Sequence, residues 1–400
     1  MSHRSAFHSA QYRNYFPAGV FSTLGSWTLR FLLGWSAWDL THSATWVGIV
    51  AGLMLAPALV LSPLFGIVAD RINPRNGLLL TVSLHAALAA ATAIALLLQF
   101  FALPALLVLS TALGITTSAH TPIRLALVPH LVPRESLPSA IGYSAITFNT
   151  SRILGPALGA WLLHVSSPAV AFSASTVLML GALPFLVAIP GVDRGGADTR
   201  HPSFRRQLVD GWHYTRGHAA IRMIFGFTLV NALLGRTVIE LLPALSGQLL
   251  KGNSTTLATL TAGAGAGSIL GGLIVSRPGG SESRLFGMMA SSLALGAVLV
   301  ALMAWTGKVS AVTLLVGLLS LITTIAGTTS QALAQLLVSA SYRGRVLSLW
   351  TMLAMGAPAA GAIVMGGLGD IFPLSLVLAG FGVCALVAVG WLSRRSALRQ

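Results

Sequence analysis

Apolar runs and short polar loops alternate along the whole 400-residue chain. A helix needs about 20 largely apolar residues to cross a bilayer. Twelve runs meet that length: 14–38, 44–68, 76–99, 104–128, 138–164, 168–190, 220–245, 255–276, 284–306, 309–337, 346–369 and 371–392. Only one connection is both long and polar, residues 191–219 with the sequence GVDRGGADTRHPSFRRQLVDGWHYTRGHA. The pattern predicts an all-α integral membrane protein with twelve transmembrane helices in two six-helix bundles. Residues 1–190 form the first, 220–400 the second, and 191–219 the linker.

The halves echo one another. Gly66-x-x-x-Asp70-Arg71 follows span two, and Gly272-x-x-x-Ser276-Arg277 follows span eight. Gly155-Pro156-x-x-Gly159 in span five is matched by Ala357-Pro358-x-x-Gly361 in span eleven. Repeats of six spans related by pseudo-symmetry, with a binding site near the midplane, are a transporter architecture.

Composition agrees with the pattern. Charged residues make up 8% of the chain and hydrophobic ones 55%, with a mean hydropathy of +0.82. A soluble domain carries roughly 25% charged residues. The polar N-terminal segment MSHRSAFHSAQYRNYF has none of the features of a secretory signal. The single cysteine, Cys384, excludes an intramolecular disulfide and a cysteine metal site.

The formal charge of +15 changes meaning once it is placed on the topology. Eighteen arginines fall on one side of the predicted membrane, and only Lys251 and Lys308 on the other. That asymmetry puts both termini and the linker in the cytoplasm. The charge then serves topology and lipid headgroups, and nucleic acid is not an expected partner. In the linker, Phe204, Leu208, Trp212 and Tyr214 interleave with Arg205, Arg206 and Arg216. That pattern suits a helix lying on the membrane surface.

The segment Gly66-x-x-x-Asp70-Arg71-x-Asn73-Pro74-Arg75 resembles the loop signature of the major facilitator superfamily, G-x-x-x-D-R/K-x-G-R/K-R/K. Asn73 and Pro74 depart from it. Gly142, Ser151, Gly155-Pro156 and Gly159-Ala160 resemble the superfamily's antiporter motif in span five, with Ser and Ala for two glycines. The stretches LVPRESLPSAIGYSAITFNTSRILGPALGAWLL, ELLPAL and YRGRVLSLW are similar to the branch that holds enterobactin exporters and macrolide efflux pumps. The resemblance implies the superfamily fold and secondary active export, with proton antiport as the drive. It also implies a cytoplasmic latch of Gly66, Asp70, Arg71 and Arg75 with Arg343 or Arg345. Gly155, Pro156 and Gly159 are expected to allow close helix packing between the halves.

A charge at bilayer depth costs roughly 2.5–3.5 kcal/mol even on the lenient insertion scale, so each one is a functional candidate. Arg30, Arg124, Arg152 and Arg236 lie within spans. Glu240 is the only carboxylate within a span, four residues after Arg236 on the same helix face, where the two can pair. Asp39 ends span one. Glu240, with Arg236 and then Asp39 behind it, is the candidate proton carrier. Arg30 and Arg152 are the candidate anion-binding pair, at similar depth and offset by roughly 6 Å at helical rise. Asn149, Gln331, Gln335 and Trp27 complete the candidate substrate residues. Arg124, close to the cytoplasmic end, is read as a structural residue bonded to carbonyls or water.

No histidine pair has metal-ligand spacing, and the glycine-rich AGAGAGSILGG of span eight lacks the third glycine and preceding strand of a dinucleotide loop. Its small residues are expected to let helices pack closely. No cofactor, metal or enzymatic chemistry is expected. The reading is a monomeric, multi-pass exporter of the bacterial cytoplasmic membrane, moving a small anionic molecule such as a siderophore by alternating access against protons. Multidrug or macrolide efflux is the alternative.

Overall fold

Each predicted span is a helix in the structure, a computed structural model that describes residues 5–191, 204–275, 282–339 and 342–397. The first six are α1 Ala10–Thr41, α2 Ala44–Arg71, α3 Pro74–Leu97, α4 Leu103–Leu131, α5 Leu137–Val165 and α6 Pro168–Val187. A shorter helix follows, α7 Phe204–Gly217. Span seven is assembled from α8 Ala219–Asn231, a π-helical turn Ala232–Arg236, α9 Thr237–Glu240, α10 Leu242–Ala244 and a second π turn Leu245–Leu249. The rest are α11 Ser254–Val275, α12 Glu282–Met303, α13 Val309–Leu337, α14 Arg343–Ile371 and α15 Leu374–Ala397. No strand occurs among the described residues.

Ten of these helical spans are long and apolar enough to cross a membrane on length and composition alone. The other two, α1 and α5, are 32 and 29 residues long and carry Arg30 and Arg152.

Local chemistry explains the ends. His42, Gln99 and Lys251 take positive φ in the loops after α1, α3 and span seven, the left-handed turn that commonly ends a helix. Asn73 accepts from the Arg75 N–H at 3.0 Å and Pro74 occupies the first turn of α3. The two residues that depart from the superfamily loop pattern thus serve as N-cap and first helical residue of span three. Pro243, which has no N–H to give, sits between the two π turns of span seven.

The chain divides into two compact units, Met1–Thr41 with Leu53–Thr199, and His42–Gly52 with Arg200–Gln400. In the first, α1 packs on α5 and α6, and α3 on α6 and α4. Tyr12, Leu78, Ile123, Leu127 and Met179 are buried in its core. In the second, α13 packs on α11 and α12, and α12 on α15. Ile224, Phe227, Met289, Leu293 and Leu333 are buried there. The glycine run of α11 does what its small residues predict. A Cβ on Gly267 would stand 1.8 Å from the Gly317 carbonyl oxygen of α13, so only glycine permits that backbone contact.

Candidate substrate and coupling residues

In the first unit α1 and α5 run parallel in a constant register. The Tyr12 hydroxyl donates to the Ala140 carbonyl at 3.2 Å, and the Thr28 hydroxyl is shared between the Leu24 carbonyl at 2.9 Å and the Gly155 carbonyl at 3.1 Å. A Cβ on Gly155 would meet the Trp27 Cβ at 2.7 Å, and one on Gly159 would meet the Phe31 ring at 2.9 Å. The antiporter-like motif therefore packs span five against span one inside this unit. The expected role in packing between the halves is replaced by this one.

That register also places the arginines. Trp27 lies level with Gly155, so Arg30 lies level with position 158, six residues beyond Arg152. Six residues at 1.5 Å each is about 9 Å along the axis, more than the offset expected from the span centres. Both arginines are half-buried and both are engaged in contacts. The Arg30 guanidinium stands 5.9 Å from the Trp27 ring centre, and Trp27 meets Phe148 of α5 edge-on at 5.6 Å. Two cations and two aromatic rings are thereby held on one locked helix pair. Asn149 belongs to α5, but its side chain lies outside the described residues.

Deeper toward the arginine-rich end of the same unit is a polar cluster that sequence reading did not assemble. His85 of α3 and His120 of α4 meet edge-on with ring centres 5.6 Å apart. Thr117 lies 3.3 Å from His85 Nε2, and Thr81 lies 3.0 Å from His120 Nδ1. The Thr81 hydroxyl is 3.2 Å from the Leu78 carbonyl. The same hydroxyl therefore lies within hydrogen-bond distance of both the Leu78 carbonyl and the His120 ring. Arg124, one turn after His120, hydrogen-bonds the buried Tyr15 of α1. The partner is a phenol, where carbonyls or water were expected for Arg124.

In the second unit the polar residues gather on span seven. The Trp350 indole N–H of α14 is shared between Thr228 of α8 at 3.1 Å and Ser330 of α13 at 2.9 Å. The Asn231 amide donates to the Thr323 carbonyl at 3.3 Å, while its Oδ1 is buried without a hydrogen-bond partner. Directly after it comes the first π turn, which ends on Arg236, and α9, which ends on Glu240. π turns recur at functional sites because they break the regular backbone ladder. Arg236 and Glu240 are both half-buried and both engaged. Gln331 and Gln335 lie one turn apart on an exposed face of α13, and Asp39 is exposed near the end of α1.

The latch residues separate into two groups. Gly66, Asp70, Arg71 and Arg343 lie in helices, but their side chains are outside the described residues. Arg75 is described, and its guanidinium donates to the Leu186 and Val187 carbonyls at 3.2 and 2.7 Å, at the C-terminal end of α6. Arg345 makes an ion pair with Asp210 of α7 at 3.3 Å and lies 5.2 Å from the Tyr342 ring centre. Tyr342 stacks on Tyr214 of α7 at 4.6 Å. Hydrogen bonds from Ser339, its side chain first and its backbone N–H second, hold the Tyr214 pKa below the usual tyrosine value. The amphipathic α7 is thus docked on the start of α14 by one face, while Trp212 remains 52% exposed on another.

Among the described residues no group of three or more histidine, cysteine, aspartate or glutamate side chains could hold a metal. The geometry offers binding and conformational change, and the comparisons agree. The staphyloferrin A transporter of Staphylococcus aureus is 25% identical over 397 residues, covering 96% of this chain and 97% of that one. Macrolide efflux protein A of Streptococcus pyogenes is 26% identical over 264 residues, 64% of each chain. Among solved structures, a bacterial homologue of the human lysosomal transporter Spinster superposes with a TM-score of 0.70 at 15% identity, covering 97% of this chain and 95% of that one. The family described as transmembrane secretion effector matches residues 1–400, so the chain is a multi-pass membrane transporter of that family, within the major facilitator superfamily.

Proposed function

We propose that the protein exports a small anionic metabolite of the siderophore class by proton antiport across the bacterial cytoplasmic membrane. Both termini and the 191–219 linker face the cytoplasm, where the loop arginines collect. The observation that carries this reading is the register-locked pair α1 and α5, which holds Arg30 and Arg152 about 9 Å apart along the axis beside Trp27 and Phe148. That spacing suits a molecule with more than one acidic group, each bound by charge-assisted hydrogen bonds. The full-length similarity to a protein named for staphyloferrin A supports the same class.

Arg30, Arg152, Asn149 and Trp27 are the proposed substrate residues of the first unit, and Gln331 and Gln335 those of the second. Glu240, next to Arg236 on the broken span seven, carries the proton. Gly66, Asp70, Arg71 and Arg75 act with Arg343 or Arg345 as a cytoplasmic latch in one access state. In the structure Arg345 is bound to Asp210, so latching through Arg345 requires an exchange of partner. The functional halves are 1–190 and 220–400, joined by the linker and working as a monomer in contact with anionic lipid.

The test is proton flux in proteoliposomes on addition of staphyloferrin A. Flux that depends on the ligand and is opposite in direction to it supports antiport. Flux with erythromycin alone transfers the reading to macrolide efflux, which the partial similarity to the streptococcal protein favours.

A further inference from the structure

The transport reading gives Asp370 no role. Asp370 is the penultimate residue of α14, at the helix end where a carboxylate opposes the macrodipole of its own helix. Its position makes sense against a different helix. One carboxylate oxygen accepts from the Ala44 N–H at 2.8 Å, and the other from the Thr45 N–H at 3.1 Å and from the Ser43 hydroxyl. These are the first backbone donors of α2, which have no acceptor within their own helix. Ser43 also caps α2 locally, accepting from the Trp46 N–H at 3.4 Å. Asp370, 327 positions later in the chain than Ser43, adds its charge at the positive end of the α2 dipole.

Two further contacts make this a clamp and not a loose cap. The helices touch backbone to backbone, since a Cβ on Gly366 would stand 2.3 Å from the Ala44 carbonyl oxygen and one on Gly48 would stand 2.1 Å from that of Ala362. The Gln248 amide of span seven donates to the Gly369 carbonyl at 2.6 Å, tying the same end of α14 down. All of these residues fall in the second unit. Yet α2 is one unbroken helix, and its residues from Leu53 onward belong to the first unit. A movement of one unit against the other must release the N-terminal end of α2 or bend the helix.

The geometry points to Asp370 as a gate residue: its carboxylate clamps the N-terminus of α2 to the C-terminal end of α14, and each transport cycle requires the clamp to open. On the topology proposed above, the clamp lies at the outer face of the membrane. The inference rests on the transport reading for its consequence, but the clamp can be read by itself.

The experiment uses the full chain in liposomes with Cys384→Ala as background. Thr45→Cys and Gly367→Cys are introduced together, because the Thr45 hydroxyl oxygen stands 4.0 Å from the place of a Gly367 Cβ. This pair gives up the Thr45 hydroxyl's own hydrogen bond to Asp370 and leaves Asp370, Ser43 and the backbone donors of α2 in place. Oxidation to the disulfide should stop export of both staphyloferrin A and erythromycin, and reduction should restore it. Full export by the disulfide-linked protein overturns the proposal and assigns the movement to a bend in α2. The second measurement needs no substrate. Adding Asp370→Asn or Asp370→Ala should slow disulfide formation by roughly tenfold or more, the equilibrium share of one charge-assisted hydrogen bond. An unchanged rate shows that Asp370 holds nothing. If neither probe is transported by the reduced protein or the wild type while the rate effect stands, the transport reading fails and the clamp survives.

Discussion

Replacing Gly155 by alanine tests the helix pair on which the proposed substrate site depends. The added methyl would lie 2.7 Å from the Trp27 Cβ, 2.9 Å from the Thr28 nitrogen and 3.0 Å from the Trp27 carbonyl carbon. Two of these three are backbone atoms, which cannot swing aside. Carbon atoms settle at about 3.5–4.0 Å, so α5 must retreat from α1 by roughly 1 Å. Overpacking of this kind costs about 1–3 kcal/mol. The retreat also stretches the Thr28–Gly155 hydrogen bond, which is 3.1 Å long and contributes about 0.5–1.5 kcal/mol. The expected loss is about 2–4 kcal/mol, with each kcal/mol lowering the melting temperature by roughly 2–4 °C for a body of 150–250 residues. Gly142→Ala is the control, because no atom of the described residues lies within 4 Å of the added one. An exposed helical Gly→Ala change there should be neutral or stabilising by up to about 1 kcal/mol. Thermal unfolding in detergent reads both variants, and export of staphyloferrin A reads the displacement of Arg152 from Arg30. If Gly155→Ala melts and exports like the wild type, α1 and α5 are not in this register, and the site built on it is wrong.

The remaining predictions concern charge. Arg30→Gln and Arg152→Gln should each weaken binding of staphyloferrin A by about one to two orders of magnitude, at 1.5–3 kcal/mol per charged hydrogen bond, while leaving erythromycin binding in place. Equal loss of both ligands in a binding titration, or of neither, makes the arginines structural. Glu240→Gln should retain substrate binding and lose the dependence of export on the pH gradient. Uphill export unchanged in that variant moves coupling elsewhere, with Asp39 or the His85–His120 pair next. Asp70→Asn should abolish export at normal membrane level, and near-normal export at equal expression removes the latch.

How much of this was legible in the sequence follows from the range of each interaction. Twelve spans could be read because lipid demands a long apolar run wherever a helix crosses it, a requirement on neighbouring residues. Arginines in such runs stood out for the same reason. The depth offset of Arg30 and Arg152 did not, because it depends on which α1 residue faces Gly155, a matter of tertiary register. His85 and His120 sit on different helices, and neither shows a partner at helical spacing. Asp370 falls between spans eleven and twelve with no signal around it, since its donors lie at the start of span two. The π turns of span seven have no compositional sign beyond Pro243. The amphipathic pattern of α7 did not show that Asp210 pairs with Arg345 of α14 or that Tyr214 stacks on Tyr342, since both partners lie more than a hundred residues away.

The internal repeat carries one step further than the motif that revealed it. Pro156-x-x-Gly159 of span five corresponds to Pro358-x-x-Gly361 of span eleven. Gly159 packs against Phe31 and Leu32 of span one, and Gly361 against Leu233 and Thr237 of span seven, with the Thr237 hydroxyl 2.2 Å from the place of its Cβ. The same motif thus fastens the same pair of helices in each unit, and Phe31 corresponds to Thr237. The residue before each is an arginine, Arg30 in one unit and Arg236 in the other. Four positions on, where a helical neighbour would sit, the first unit has Gly34 and the second has Glu240. A cation at this place is therefore common to both repeats, and the carboxylate belongs to one alone. Packing cannot account for that difference, because the glycine contact is made in both units. A carboxylate added beside an arginine in one repeat only, next to a π turn, is the asymmetry on which the proposal of Glu240 as proton carrier rests.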